Sequence, residues 1–412
     1  MFEKPGSIDT GRITFRDSEE VKRLSEAETR ALDAAALPEA PPDKREERFI
    51  PIPREYTLDD LFQLTSKYQA SDLHITVGNP PLFRIHGQLV KTTGDPVTPE
   101  KAKELMFPLL SWDKIEKFLE TGNLDFSHEA PGMGRYRANY YSDYNGLAGA
   151  FRVIPGHIPQ LEDLGLPEVI KDISEFRSGL VLVTGPTCSG KSTTLAALVD
   201  HINKTRQGHI ITIEDPIEFI HYNKNCLVDH REIGVHATTF ADAIRAAMRE
   251  DPDVLMVGEM RDLNTVYEAV RAAETGVLVL SSMHTNSASK TVDRIINMFQ
   301  AGLQEQIRSM VSDSLKAVIA QILLPRIDIP GRCVAVEVMI NTPSLAALLR
   351  EKKTRHIPTY IQMSAQDGMQ TMDMSLLELY RANKIDLGTV MENATDHSFF
   401  GEMGIKITGP ER

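Results

Sequence analysis

Residues 185–193 read Gly-Pro-Thr-Cys-Ser-Gly-Lys-Ser-Thr, and no other stretch limits the possible fold of this chain so tightly. Gly185, Gly190, Lys191 and Ser192 satisfy the spacing G-x-x-x-x-G-K-[ST], which works only where a strand delivers the loop and a helix leaves it. Both neighbours are present: the apolar run LVLVT precedes the loop and TTLAALVDHINK follows it. Such a loop turns its backbone N–H groups and a helix N-terminus toward one concave anion site. Lys191 then supplies a cation to the β- and γ-phosphates, and the Ser192 hydroxyl is a candidate ligand for Mg²⁺. Gly185, Pro186, Thr187, Cys188, Ser189, Gly190, Lys191, Ser192 and Thr193 are therefore the candidate nucleotide-binding residues.

After residue 178 the pattern is strand, loop, helix, repeated. LVLVTG, HIITIED, DVLMVGEM and GVLVLSSMHT are short, nearly continuous apolar runs, as expected of strands covered on both faces. The helical segments TTLAALVDHINK, TFADAIRAAMRE and NTVYEAVRAAETG separate them. This alternation predicts an α/β fold with a parallel sheet. From Ser287 onward the pattern is mostly helical, interrupted by one strand at RCVAVEVMI. Upstream, LDDLFQLTSKYQ reads as an amphipathic helix, and SDLHITVG and PPLFRIHGQLV as strands. Two helices follow, the first with Thr98 as N-cap, and then a hairpin that turns at Asp143, Asn145 and Gly146. The domains expected are an extension over 1–54, an α+β domain over 55–155, a linker over 156–177, the ATPase-type domain over 178–345 and a helical region over 346–412. Within the extension, charge and Pro enrichment predict one short helix near 17–36 followed by a proline-containing linker.

Three further segments place chemistry at strand ends. IEDPIEF puts Glu214, Asp215 and Glu218 just after HIIT, where ligands bind in open α/β sheets. They hold Mg²⁺ through water or polarise the attacking water, or else form a solvated acidic turn. DPDVLMVGEMRD runs a buried strand into Glu259 and Arg261, which reads as a metal-side carboxylate or as a structural ion pair. GVLVLSSMHTNS ends in His284, which reads as a γ-phosphate sensor or as a structural histidine. In the first domain Arg135 and Arg137, two residues apart, share one strand face, with Arg152 on the return strand. Arg137 and Arg152 are the candidates to compensate charge on the γ-phosphate.

Composition removes several function classes. The 412 residues are 42% hydrophobic and 25% charged, which rules out disorder as the dominant state. Forty-five basic against 58 acidic residues give a net charge of −13, so no nucleic-acid partner is expected. Cys188, Cys226 and Cys333 are widely spaced, so neither a disulfide framework nor a zinc site is expected. No apolar run approaches the ~20 residues needed to span a bilayer. The expected location is the cytoplasm.

Together these segments resemble the secretion-type ATPases, and most closely the type IV pilus retraction ATPases of the PilT/PilU type. The resemblance rests on SDLHITVGNPPLFRIHGQL, GRYRANYY, AFRVIP, GPTCSGKST, ITIEDPIEF, DPDVLMVGEMRD, AETGVLVLSSMHTNSASKTVDRIINMF, AVEVMINTPSLAALLREKK and GMQTMDMSL. It implies a PAS-like N-terminal domain, a RecA-like P-loop ATPase domain and C-terminal helices, assembled as a homohexamer. It also implies ATP as the nucleotide, Glu218 as catalytic glutamate, Glu259 as Walker B acid, and Arg137 and Arg152 as arginines offered across a domain or subunit boundary. The implied work is pilus retraction (twitching motility) at the inner membrane, on a pilus platform protein, with a paralogous retraction ATPase as a further candidate partner. A weakly catalytic accessory subunit is the alternative; another secretion or DNA-translocating ring ATPase is a minor one. The chain departs from the family in three places. Cys188 replaces a loop glycine, Val277 replaces a histidine, and Ala346 replaces an arginine in SLAALLRE. The four-cysteine zinc motif of the extension and secretion branch is absent from the sequence. A GTPase reading, suggested by Asn383-Lys384-Ile385-Asp386, fails because that tetrapeptide follows a helical segment, with Asn383 at its C-terminal end.

Overall fold

Period-two alternation of apolar residues between 72 and 154 builds an antiparallel sheet of six strands. These are β1 (Asp72–Thr76), β2 (Leu82–Ile85), β3 (Gln88–Lys91), β4 (Asn123–Ala130), β5 (Gly134–Asp143) and β6 (Gly146–Ile154), in the order β3-β2-β1-β6-β5-β4. The computed structural model describes residues 49–405 except His86 and Pro155. The helix expected near 17–36 lies outside them. Helices Leu58–Lys67, Pro99–Met106 and Trp112–Thr121 accompany the sheet. Leu61, Phe62, Leu73, Ile75, Phe83, Tyr136, Tyr140 and Phe151 form its core. Thr98 caps its helix by accepting the Lys101 N–H, and Asp143 Oδ1 accepts the N–H groups of Asn145 and Gly146 at the β5–β6 turn. PPLFRIHGQLV is not one strand. It folds back at Gly87, whose φ of +84° suits glycine, to give β2 and β3. Strand β4 was not anticipated either, because NLDFSHEA alternates weakly and follows directly on a helix.

The larger sheet has seven strands: β7 (Gly179–Thr184), β8 (His209–Glu214), β9 (Leu227–Glu232), β10 (Val254–Val257), β11 (Leu278–Met283), β12 (Leu315–Pro325) and β13 (Arg332–Ile340). Their order is β13-β12-β7-β11-β10-β8-β9. All adjacent pairs are parallel except β12–β13. The fold class is the expected one. Helices Lys191–Thr205, Phe240–Ala247, Leu263–Glu274, Ala288–Asn297 and Ala301–Ser314 are the crossovers and flanking elements. Apolar clusters cover both faces of the sheet, which is why β7, β10 and β11 are buried at every position.

Two strands correct the sequence reading. Residues 315–325 are strand β12 and not helix: LKAVIAQILLP follows a helix with no breaker, and a short continuous apolar run carries no period to distinguish the two. Strand β9, LVDHRE, is polar because it is an edge strand.

Packing also moves three expected boundaries. Ile50 is buried, pairs its backbone with Lys91 and Thr93, and joins the first core, so the packed unit begins before residue 55. Leu161, Ile170 and Ile173, within the expected 156–177 linker, are buried against the larger sheet. Leu345, Leu349, Ile357 and Ile361 lie in the larger sheet's core, so the 345/346 boundary cuts through packed structure. A separate cluster of Met372, Leu376, Ile385, Val390, Phe399 and Phe400 sits against Leu324 and Ala335. Among the described residues no helix is long and apolar enough to cross a membrane.

Candidate functional site

The sheet order brings the C-terminal ends of β7, β11, β10 and β8 side by side. Apart from Arg137 and Arg152, the sequence candidates lie at this one edge. The loop after β7 is Gly185–Gly190, and the helix it feeds starts at Lys191. Lys191 is buried, and its ammonium donates to the carbonyls of Gly185 (3.0 Å) and Pro186 (2.8 Å). Burial pulls its pKa below the usual lysine value, opposed by the carboxylates of Glu259 and Glu218. Ser192 is exposed at the helix start.

Strand β12, absent from the sequence reading, braces this loop. Gln321 is fully buried; its side-chain amide donates to the Ser189 carbonyl at 2.7 Å and its oxygen accepts the Thr194 hydroxyl at 3.0 Å. The backbone approach is so close that a Cβ at Gly185 would stand 2.2 Å from the Gln321 carbonyl oxygen. Only glycine fits there. Cys188 adopts φ +64°, the left-handed region in which a residue with a Cβ is strained by roughly 1–2 kcal/mol, which accounts for glycine as the family's usual residue.

Glu259 follows β10 and His284 follows β11. His284 Nε2 lies 2.9 Å from Glu259 Oε1, and Arg261 Nε lies 2.7 Å from the same oxygen. Val277 stands at the opposite end of β11, buried in the core. About six residues of strand, or roughly 20 Å, separate it from His284. That departure therefore leaves the edge untouched. After β8, Asp215 is exposed, Glu218 is half-buried, and Glu214 is buried with one oxygen accepting the Glu218 N–H at 3.1 Å. Burial pushes the Glu214 carboxyl up to about 7.

Across from this edge, β5 and β6 pair Arg137 directly opposite Arg152. Arg137 is exposed. Arg152 Nε donates to Asp72 Oδ1 at 2.9 Å while 66% of its side-chain surface stays open. Besides Asp72, the Glu218 carboxylate acts on its guanidinium, so Arg152 lies within electrostatic reach of the turn after β8. Asp72 was not singled out in the sequence because its role depends on β1 pairing with β6. Arg294 is exposed on its helix. Asn383, at φ +53°, ends helix Met372–Arg381 with no strand before it, unlike a base-reading loop.

A family model described as "Type II/IV secretion system protein" matches residues 160–400. The type IV pilus retractation ATPase PilT of Pseudomonas aeruginosa is 44% identical over 341 residues, covering 82% of this chain and 98% of that protein. The chain belongs to the type II/IV secretion-system family. Within it the chain is of the pilus retraction type, and it is an ATPase. The type IV pilus ATPase PilU of the same organism is 37% identical, covering 82% of this chain and 88% of that one. A crystal structure of the pilus retraction motor PilT with bound ADP aligns with a TM-score of 0.80 at 42% identity, covering 85% of this chain and all of the other. The family likeness extends through the first sheet as well as the P-loop sheet.

Proposed function

We propose that this chain is the principal motor of type IV pilus retraction: a homohexameric ring at the cytoplasmic face of the inner membrane that hydrolyses ATP and works on a pilus platform protein. The observation that carries this reading is the meeting of Lys191, Glu218 and the Glu259–His284 pair at one sheet edge, faced by Arg152 from the first sheet. In this reading the two sheets are the cores of two domains, and the short span that ends at Leu161 is the hinge.

The loop and Lys191 bind the phosphates. Glu218 accepts a proton from water as its oxygen attacks the γ-phosphorus, and the bond to the bridging oxygen of ADP breaks. Glu214 lies beneath and fixes the Glu218 backbone. The exposed Ser192 hydroxyl, Asp215 and Glu259 are oxygen donors suited to a hard cation, and Mg²⁺ held there would neutralise phosphate charge. Glu214, buried and with its pKa raised by that burial, is the weakest donor of the proposed set. His284 reports on the γ-phosphate through Glu259, and Arg137 and Arg152 compensate its developing charge.

The test is steady-state ATP turnover by the purified protein, alongside nucleotide affinity and pilus retraction in cells. Lys191→Ala should lose nucleotide affinity. Glu218→Ala should keep affinity and lose turnover by about 10²–10⁴-fold, and both variants should abolish retraction. Unchanged turnover in Glu218→Ala would transfer the base role to Glu214 or Asp215. Negligible wild-type turnover that rises with a paralogous ATPase would favour an accessory subunit.

A further inference from the structure

Strand β9 ends in a carboxylate that neither the phosphate loop nor the acidic turn accounts for. Glu232 is buried at 6% exposure, beside Glu214 in the β8–β9 register. Its Oε2 accepts three donors: the Ile217 N–H at 3.2 Å, the Ser127 hydroxyl at 2.9 Å and Arg135 Nη2 at 3.2 Å. Arg135 Nη2 also donates to Ser127 Oγ at 2.7 Å, closing a triangle. Ser127 lies on β4 and Arg135 on β5, both in the first sheet, whereas Ile217 immediately precedes Glu218.

We propose that Glu232 is a positioning residue that ties the Ile217–Glu218 segment to the first sheet, so that Glu218 is held in place while the two sheets are docked. The inference rests on the reading of Glu218 as the water-polarising group. A buried carboxylate needs charge and hydrogen bonds to remain buried. Docking supplies two of its three donors and, among the described residues, its only paired cation. When the first sheet moves away, Oε2 keeps one backbone N–H, too little to hold an ion in the interior, and the carboxylate turns to water and releases Ile217. The position of the first sheet is thereby passed to Glu218 through one side chain. A neutral acceptor serves the Ile217 N–H but does not hold the guanidinium, which explains glutamate in place of glutamine.

The test uses full-length protein and measures kcat, nucleotide affinity and melting temperature separately. Glu232→Ala should lower kcat by at least about tenfold while affinity changes by less than about threefold, a split that lost stability alone does not produce well below melting. Glu232→Gln, which keeps an acceptor for Ile217, should recover part of kcat. Arg135→Gln should match Glu232→Gln, and the double variant should be no slower than either single one, as for two members of one unit. If Glu232→Ala does not fold, Glu232→Gln and Arg135→Gln carry the test. Both variants keeping kcat within about twofold while only the melting temperature falls would overturn the proposal. Loss of turnover in Glu218→Ala with full turnover in the Glu232 variants would sink this inference alone. Retained turnover in Glu218→Ala would instead sink the reading beneath it.

Discussion

Replacing Arg152 by alanine separates two contributions that the structure allows to be sized. The stability contribution is small. Arg152 donates to Asp72, but Asp72 also accepts the Ser71 hydroxyl at 2.8 Å and has Arg84 at 3.8 Å, so its carboxylate keeps partners. With 66% of the Arg152 side chain open to solvent, the ion pair contributes no more than about 1 kcal/mol. That corresponds to a melting shift of about 1 °C for a chain of 412 residues. The catalytic contribution is larger if the guanidinium reaches the γ-phosphate: about 10³–10⁵ in turnover, or roughly 4–7 kcal/mol of barrier. The two effects differ several-fold and fall in different assays. We expect Arg152→Ala to assemble, to melt within a few degrees of wild type, and to lose ATP turnover by about 10³-fold. Arg137→Ala, its cross-strand neighbour, should also lose turnover with assembly retained. Full activity in both variants would refute the argument.

Two further outcomes can be checked on the purified protein. His221 is buried at 3% exposure beside the His230 ring, with neither ring nitrogen hydrogen-bonded, and burial followed by His230 pushes its pKa down to about 4. The unfolded chain takes up this proton below about pH 6.5 while the folded chain refuses it until about pH 4. Stability present above pH 6.5 is therefore lost as pH falls, by up to about 3 kcal/mol. Urea midpoints from pH 7.5 to 5 should flatten in His221→Phe, and an unchanged slope would refute this. Deleting residues 1–54 should destabilise the protein by about 1.5–3 kcal/mol relative to deleting 1–48, because only the longer deletion removes buried Ile50. Equal melting temperatures would show that Ile50 contributes nothing.

Recognition from sequence succeeded where chemistry and local period coincide. Strands β7, β10 and β11 are apolar throughout because both faces are covered, and each leads into a polar segment that names its own chemistry. It failed where a residue acts through a partner distant in the chain. Gln321 has no local motif, and its hold on Ser189 exists only because β12 lies beside β7. Glu232 and Asp72 likewise look like ordinary strand carboxylates until β9 approaches β4 and β5, and β1 approaches β6. The pairing of Arg137 with Arg152 was foreseeable because a tight turn fixes hairpin register, whereas the course of the 156–177 segment depends on which sheet takes up Leu161, Ile170 and Ile173.

That segment bears on the proposed hinge. With Leu161, Ile170 and Ile173 buried against the larger sheet, the hinge of the proposed motor falls in the short span that ends at Leu161. On one side of that span the first domain moves as a unit, because Phe62, Tyr136, Tyr140 and Phe151 stack in a single core beneath β5 and β6. On the other side the phosphate loop is braced by Gln321. A rotation at the span therefore displaces Arg137 and Arg152 relative to Lys191 without deforming either core. Catalytic geometry tolerates errors of about an ångström before rates fall by orders of magnitude. A few degrees of rotation, acting over the length of β6, is enough to bring these arginines into or out of reach of the γ-phosphate. In the proposed motor the same rotation would make or break the Arg135–Glu232 contact, so charge compensation and placement of Glu218 would be lost or gained together. In the proposed motor, hydrolysis is then confined to the docked state, and opening of the hinge is coupled to release of the products.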